Sequence, residues 1–423
     1  MDKNKRLTVW LPVIIAASIA LGIFIGNHYL SISQGKKRSY SSGNKINAIL
    51  DIIDEQYVDT VSMSKLVEST IPKIFSELDP HSVYIPAEDA SVVNEELEGS
   101  FSGIGVSFNM QTDTILVISV ISGGPAEKAG LLPFDRIISI NDSIFSGKKK
   151  NQGEIMKTLR GAKNSTVKLG VQRGNSPELL YFDVTRGDVP VNSVDVSYEA
   201  AKGIGYIKVS KFARNTYNEF ITAIAKLKQA GCTSFVIDLR GNTGGYMDAA
   251  TGIASEFLPK NDLIVYTKGL RTPYKEFRAQ GPGLFREGRI IVLVDEYSAS
   301  ASEIVTGAIQ DQDRGLVVGR RTFGKGLVQK PFVLPDGSMI RLTVARYYTP
   351  SGRCIQKPYT MGDKMKYNMD VIERYNHGEL TNADSIHFPD SLKYKTLRKG
   401  RTVYGGGGIM PDYFIPLDTT RYT

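Results

Sequence analysis

The chain has 423 residues, 41% of them hydrophobic and 23% charged, with 41 glycines and 18 prolines; this excludes a collagen, a coiled coil or a disordered tail and leaves room for two to four domains. Its net charge of +8 is concentrated at the ends, +5 in residues 1–40 and +5 in residues 341–423 against −2 between them, so no basic stripe follows a nucleic-acid backbone and no nucleic-acid partner is expected. Cys232 and Cys354 alone supply neither a disulfide framework nor a cysteine zinc site, and no metal or cofactor is expected.

Leu7 to Gly26 form an uncharged apolar run behind Lys3, Lys5 and Arg6, long enough to span a bilayer as a helix. No convincing small-x-small cleavage site follows, so residues 1–30 read as an uncleaved signal anchor and the Ser-rich stretch 31–44 as a tether. Ile46, Ile49, Leu50 and Ile53, then Leu66, Ile71, Ile74, Phe75 and Leu78, repeat at helical spacing and predict a helical segment over 45–97, in which Pro80 of LDPHS stops a helix. Across 98–186 the runs GIGVSF, ILVISVI, DRIISIND, TVKLGVQR and LLYFDVTR, with one helical patch, predict a small β-barrel-like module. From 187 to 423 apolar strands such as SFVIDLR and IIVLVD alternate with helical stretches, the pattern of a layered α/β core. The polar composition of residues 357–400 predicts a surface insertion in that core.

Three loops stand at strand ends, where ligands bind in α/β sheets: DLRGNTGG (Asp238 to Gly245), EYSASASE (Glu296 to Glu303) and RRTFGKGLVQ (Arg320 to Gln329). Ser300 and Glu303 fit the S-x-x-E capping box, yet the small residues around Ser300 also let a substrate approach helix N-terminal amides, as a serine nucleophile requires. The four histidines are poor bases for it: His28 flanks the apolar run, His377 and His387 lie in the polar insertion, and His81 follows Pro80. Lys325 is the remaining base. A lysine of ordinary pKa, about 10.4, is neutral in roughly one molecule in 2,500 at pH 7, so the role needs burial and neighbouring positive charge, for which Arg320 and Arg321 are close in sequence. Gly319 to Lys325 also fit a phosphate-binding G-x-x-x-x-G-K, but Gly326 stands where Ser or Thr would hold magnesium and a strand pattern follows instead of a helix.

In this order and spacing, LDPHS, FSGIG with SGGPAEKAGLLPFDRIISIND, DLRGNTGG, SASASEIVTGAIQD, VVGRRTFGKGLVQ, ARYYTPSGR and GRTVYGGGGIMPD resemble the carboxyl-terminal processing (tail-specific) serine peptidases. The resemblance implies a crotonase-like α/β peptidase core with an N-terminal helical segment and a PDZ module. It implies Ser300 as nucleophile, Lys325 as base, Gln329 completing the group, and oxyanion amides at Gly245 and Ala301. Gly103, Ile104, Gly105 and Val106 resemble the PDZ loop and strand that bind a substrate's C-terminus, with Phe101, Ile104 and Val106 favouring an apolar terminal side chain. Thr243 departs from the usual proline or glycine, and Cys354 stands where serine is common and reads as an exposed thiol. The expectation is a membrane-tethered endopeptidase acting on the extracytoplasmic, periplasmic side on protein or peptide substrates; a homo-oligomer or a regulatory partner stays open. The rival reading is a catalytically silent PDZ adaptor.

Overall fold

The computed structural model describes residues 16–24, 42–111, 114–144 and 152–419. Residues 16–24 are helical; the rest of the Leu7 to Gly26 run, and most of the Ser-rich tether, lie outside the described residues. Among the described residues no helix is long and apolar enough to cross a membrane. The chain forms two compact units, residues 1–70 and 71–423. Helix α1 (Ser42–Gln56) belongs to the first, and α2 (Met63–Ser76) begins in it.

In the second unit, β1 (Val83–Ile85) follows the LDPHS turn, and α3 (Ala87–Glu98) ends at Gly99 in a left-handed conformation. The short strand β2 (Ser100–Gly103) precedes an antiparallel sheet built from β3 (Val106–Gln111), β4 (Thr114–Val120), β5 (Arg136–Ile140), β6 (Ser143–Ile144), β7 (Thr166–Gln172) and β8 (Leu180–Thr185). Its strand order β3-β4-β5-β7-β8 leaves β3 at the edge, and β2 pairs outside it with β9 (Gly187–Pro190). Ile115, Val117, Ile137, Val167, Leu169 and Val171, alternate residues of their strands, close its core with Ile155 and Leu159 of α5 (Gln152–Leu159). The short α4 (Pro125–Ala129) lies between β4 and β5.

The second core is the α/β layer. Strands β10 (Val194–Ala201), β11 (Ile204–Val209), β12 (Ser234–Asp238), β15 (Ile290–Val294), β16 (Leu316–Gly319) and β21 (Tyr413–Phe414) form one sheet in that order, parallel except at β10. Helices α6 (Thr216–Gln229), α7 (Met247–Ser255) and α8 (Ala301–Asp311) bury their apolar stripes against Ile207, Phe235, Ile237 and Val292. Strands β13 (Leu263–Lys268), β14 (Lys275–Arg278), β17 (Leu327–Val333) and β18 (Met339–Tyr348) join β1 in an antiparallel sheet. The helical segment expected over 45–97 thus contributes a strand, paired Val83 to Arg341, to this second sheet.

The carboxyl ends of the adjacent parallel strands β12, β15 and β16 deliver the three singled-out loops side by side. The polar stretch 357–400 lies largely at the surface but not throughout. Its helix α9 (Lys364–Asn376) buries Tyr367 and Arg374 against the RRTFGKG loop, and Lys357 ahead of it is buried between the Phe323 and Tyr367 rings. Short strands β19 (Lys393–Lys395) and β20 (Thr402–Tyr404) close the segment as a hairpin.

Candidate active site

The run SASAS turns from β15 into α8, and only its middle serine is free. Ser298 Oγ donates to Leu239 O at 2.8 Å and accepts from the Asp295 amide at 3.0 Å; Ser302 Oγ donates to Asn242 O at 2.8 Å; both serines are fully buried. Ser300 adopts φ 56° and ψ −112°, a region that costs a non-glycine residue about 1–3 kcal/mol, and it lines a cavity of about 650 Å³. Its hydroxyl faces the Glu303 amide but makes no cap hydrogen bond, since that amide is taken by Ser300 O at 2.9 Å.

The glycine loop lies directly against this turn. A Cβ on Gly244 would stand 2.7 Å from Ser300 Cβ and 3.0 Å from Ala301 N, and one on Gly245 would run into the Phe212 carbonyl. Buried Asn242 fixes the approach: its side chain donates to Val209 O at 2.8 Å and accepts the Gly244 amide at 2.9 Å, while its carbonyl accepts the Ala299 amide at 3.0 Å. Among the described residues the amides of Gly245 and Ala301 have no acceptor in the protein. Asn242 is a functional residue beyond those expected from sequence, although an Asn between glycines at a strand end is a signal of such a turn.

Two buried groups tie the serine loop to the lysine loop. The Glu303 carboxylate, wholly buried, accepts four hydrogen bonds: from the amides of Ser300 (2.8 Å), Gly324 (2.8 Å) and Lys325 (2.9 Å) and from the Thr322 hydroxyl (2.6 Å). Burial raises its pKa above the ordinary carboxylate value, opposed by those hydrogen bonds. The Tyr347 hydroxyl donates to Lys325 O and stands 3.1 Å from Ser300 O. Amide and carbonyl of both residues are therefore pinned, which the S-x-x-E reading of Glu303 as a helix cap does not contain.

Lys325 Nζ donates to Gln329 Oε1 at 3.2 Å, and Gln329 Nε2 donates in turn to His81 O. Burial lowers the lysine's pKa below its ordinary value, and the charge of Arg341 lowers it further, against the opposing pull of Glu303 and Asp79. The like charge therefore comes from β18. Arg320 and Arg321, the neighbours expected from sequence to supply it, are engaged by Glu296 (2.6 Å) and Glu379 (2.5 Å). No hydrogen bond joins the Ser300 hydroxyl to Lys325 among the described residues, but both line the same cavity with Gln329 and Arg341.

The LDPHS turn positions the glutamine. Asp79 accepts from the amides of His81 (3.0 Å) and Ser82 (3.1 Å) and from the hydroxyls of Ser82 (2.5 Å) and Thr343 (2.8 Å). Burial raises the Asp79 pKa, and these bonds outweigh it, leaving it below the ordinary value. The His81 ring is pushed down to about 3, first by burial and then by the charge of Lys325, so it is neutral at every physiological pH; its Nε2 lies 2.9 Å from the Tyr367 hydroxyl.

In the antiparallel module, Ile104 and Gly105 link β2 to the edge strand β3, with Gly105 at φ 80°. Their carbonyls accept from Ala126 (2.6 Å) and Ile121 (2.9 Å), and among the described residues their amides have no acceptor. The Ile104 side chain is packed in the module's core, Val106 packs against that core, and Gly103 is covered by the Phe101 ring. Cys354, expected to be exposed, is half-buried, and burial raises its pKa.

A model of peptidase family S41 matches residues 203–363, and a PDZ domain model matches residues 102–195. The chain is 35% identical over 317 residues to the carboxy-terminal processing protease CtpB of Bacillus subtilis (strain 168), covering 74% of this chain and 65% of that protein. It is 31% identical over 413 residues to the "Probable CtpA-like serine protease" of Staphylococcus aureus (strain N315), covering 96% of this chain and 82% of that one. Among solved structures, the photosystem II D1 C-terminal processing protease aligns with a TM-score of 0.44 at 24% identity, covering 88% of this chain and 92% of that one.

Proposed function

The chain belongs to peptidase family S41, a family of serine-type peptidases, and from that premise we propose that Ser300 is its nucleophile, Lys325 its general base and Gln329 the group that orients the base. The observation that carries the reading is the one free hydroxyl of SASAS, held at positive φ in a cavity shared with a half-buried lysine.

A neutral amine has two N–H donors and one lone pair. One N–H is held by Gln329 Oε1, which leaves the lone pair for the Ser300 proton. Ser300 Oγ bonds to the scissile carbonyl carbon as its proton passes to Lys325, and the carbonyl electrons move onto oxygen. The unpaired amides of Gly245 and Ala301 hold that oxyanion, Ala301 adding the positive end of α8. Collapse breaks the C–N bond while the Lys325 ammonium protonates the leaving amine. A water then attacks the acyl carbon as it gives its proton to Lys325, and the Lys325 ammonium returns that proton to Ser300 Oγ as the acyl–oxygen bond breaks.

The same reading takes residues 1–30 as a membrane anchor, 31–44 as its tether, 45–97 as the N-terminal segment, 98–186 as the PDZ domain and 187–423 as the peptidase core, with catalysis on the extracytoplasmic side; the apolar run behind Lys3, Lys5 and Arg6 supports the anchor. The amides of Ile104 and Gly105, beside the open edge of β3, support recruitment of a substrate's C-terminal carboxylate. The test is mass spectrometry of peptides released from an unfolded protein. Wild type and Ser302→Ala are expected to release them and Ser300→Ala to release none; equal release by folded Ser300→Ala overturns the assignment.

A further inference from the structure

Among the described residues Arg341 is the one incompletely exposed arginine with neither a hydrogen-bond nor an ion-pair partner for its guanidinium. Elsewhere in the core the same side chain is matched: Arg320 by Glu296, Arg321 by Glu379, Arg353 by Asp311, Arg401 by Asp313 and Asp412, and Arg314 by backbone carbonyls. A guanidinium stays charged throughout the working pH range, and withdrawing one from water without an anion is costly, which is why buried arginines are paired.

Its placement is rigid. Arg341 lies in β18 between two partners in register, Val83 of β1 and Pro331 of β17. Strand alternation puts Gln329, Pro331, Arg341 and Thr343 on one face of the β17–β18 hairpin, and Gln329, Pro331 and Arg341 line the cavity that holds Ser300 and Lys325. The carboxylate in that lining, Asp248, accepts the Ala249 amide at 2.9 Å in the first turn of α7 and forms no ion pair with Arg341. With Lys325 neutral, Arg341 is the permanent cation of the cavity.

We infer that Arg341 is a subsite for a carboxylate of the substrate beside the bond to be cut, supplied either by an acidic side chain or by the substrate's own C-terminus. The fork of guanidinium donors matches a carboxylate in two parallel hydrogen bonds. This rests on the peptidase reading of Ser300 and Lys325, and it is separate from any recruitment at the Gly103 to Val106 loop.

The test compares kcat/KM for two sets of peptides with wild type, Arg341→Met, Arg341→Lys and Arg341→Glu. In one set the C-terminus is amidated and Glu, Gln or Lys is placed in turn at each position around the scissile bond. In the other the terminus is a free acid at decreasing distance from that bond, with Gln at all those positions. At one position or one terminal distance, wild type is expected to favour the carboxylate on the order of tenfold. Arg341→Met abolishes the preference, Arg341→Lys keeps part of it, and Arg341→Glu reverses it toward Lys in the amidated set. An effect confined to the first set assigns an acidic side chain, and one confined to the second assigns the terminus. Wild-type preferences that are absent, or that persist unchanged in Arg341→Met, overturn the subsite; should Arg341→Met not fold, Arg341→Glu gives the same comparison. If wild type cleaves no peptide of either set, or Ser300→Ala cleaves as wild type does, it is the peptidase reading that fails.

Discussion

Replacing Glu303 by glutamine changes one atom of the wholly buried clamp between the serine and lysine loops. Oε2 accepts the Ser300 and Lys325 amides, and Oε1 accepts the Gly324 amide and the Thr322 hydroxyl. The glutamine NH2 can accept nothing. Placed at Oε2 it leaves two amides orphaned; placed at Oε1 it orphans the Gly324 amide, and the Thr322 hydroxyl can accept from the NH2 only by giving up its own acceptor. Each buried donor without a partner costs about 1–3 kcal/mol, and removing a charge that burial disfavours returns part of that cost, so Glu303→Gln is expected to lose about 1–3 kcal/mol net, a fall of roughly 2–4 °C in Tm per kcal/mol for a domain of this size. The variant also removes the negative charge that favours the Lys325 ammonium, so the lysine's pKa falls further and the acid limb of kcat/KM moves to lower pH. Calorimetry and a pH–rate profile read both effects; a wild-type Tm together with an unmoved acid limb would refute the clamp.

Lys325→Met is expected to abolish hydrolysis and yet stabilise the fold. The native pKa is depressed by burial, so the unfolded chain binds the extra proton between the native and unfolded pKa values; wild-type stability rises with pH across that window, and the advantage of methionine is greatest below it and gone above about 10.4. Denaturation at several pH values checks this, and an advantage that grows with pH contradicts it. His81→Gln is expected to lower stability while leaving the pH–rate profile without a missing limb near pH 6.5, because the wild-type ring is already neutral and only its backbone carbonyl reaches Gln329; the profile decides. Amidating a substrate's C-terminus is expected to slow cleavage by weakening recruitment at Ile104 and Gly105, and equal kcat/KM for matched free and amidated peptides would show that the loop does not read the carboxylate.

Much of this arrangement is written locally in the chain. Period-two runs such as TVKLGVQ and short apolar runs such as IIVLV specify strands, NTYNEFITAIAKLKQ specifies an amphipathic helix, and small or glycine-rich residues at three strand ends mark the loops that meet. Ser300 and Lys325 could be singled out because their peculiarity lies in their immediate neighbours. The rest depends on partners far away in sequence. Ser298 and Ser302 resemble Ser300 until their hydroxyls meet carbonyls 59 and 60 residues distant. Arg320 and Arg321 adjoin Lys325 in the chain but are neutralised by Glu296 and Glu379, while Arg341 reaches the cavity through the register of β17 with β18. Gln329 is oriented by the carbonyl of His81, 248 residues away, and the polar stretch 357–400 is partly buried because Tyr367 and Arg374 find partners on the LDPHS and RRTFGKG loops. Propensity and periodicity act over a few residues and decide what each segment becomes. Electrostatic matching and desolvation act through space, and only once strand order and register bring distant segments together do they decide which charges are cancelled and which hydroxyl is left free.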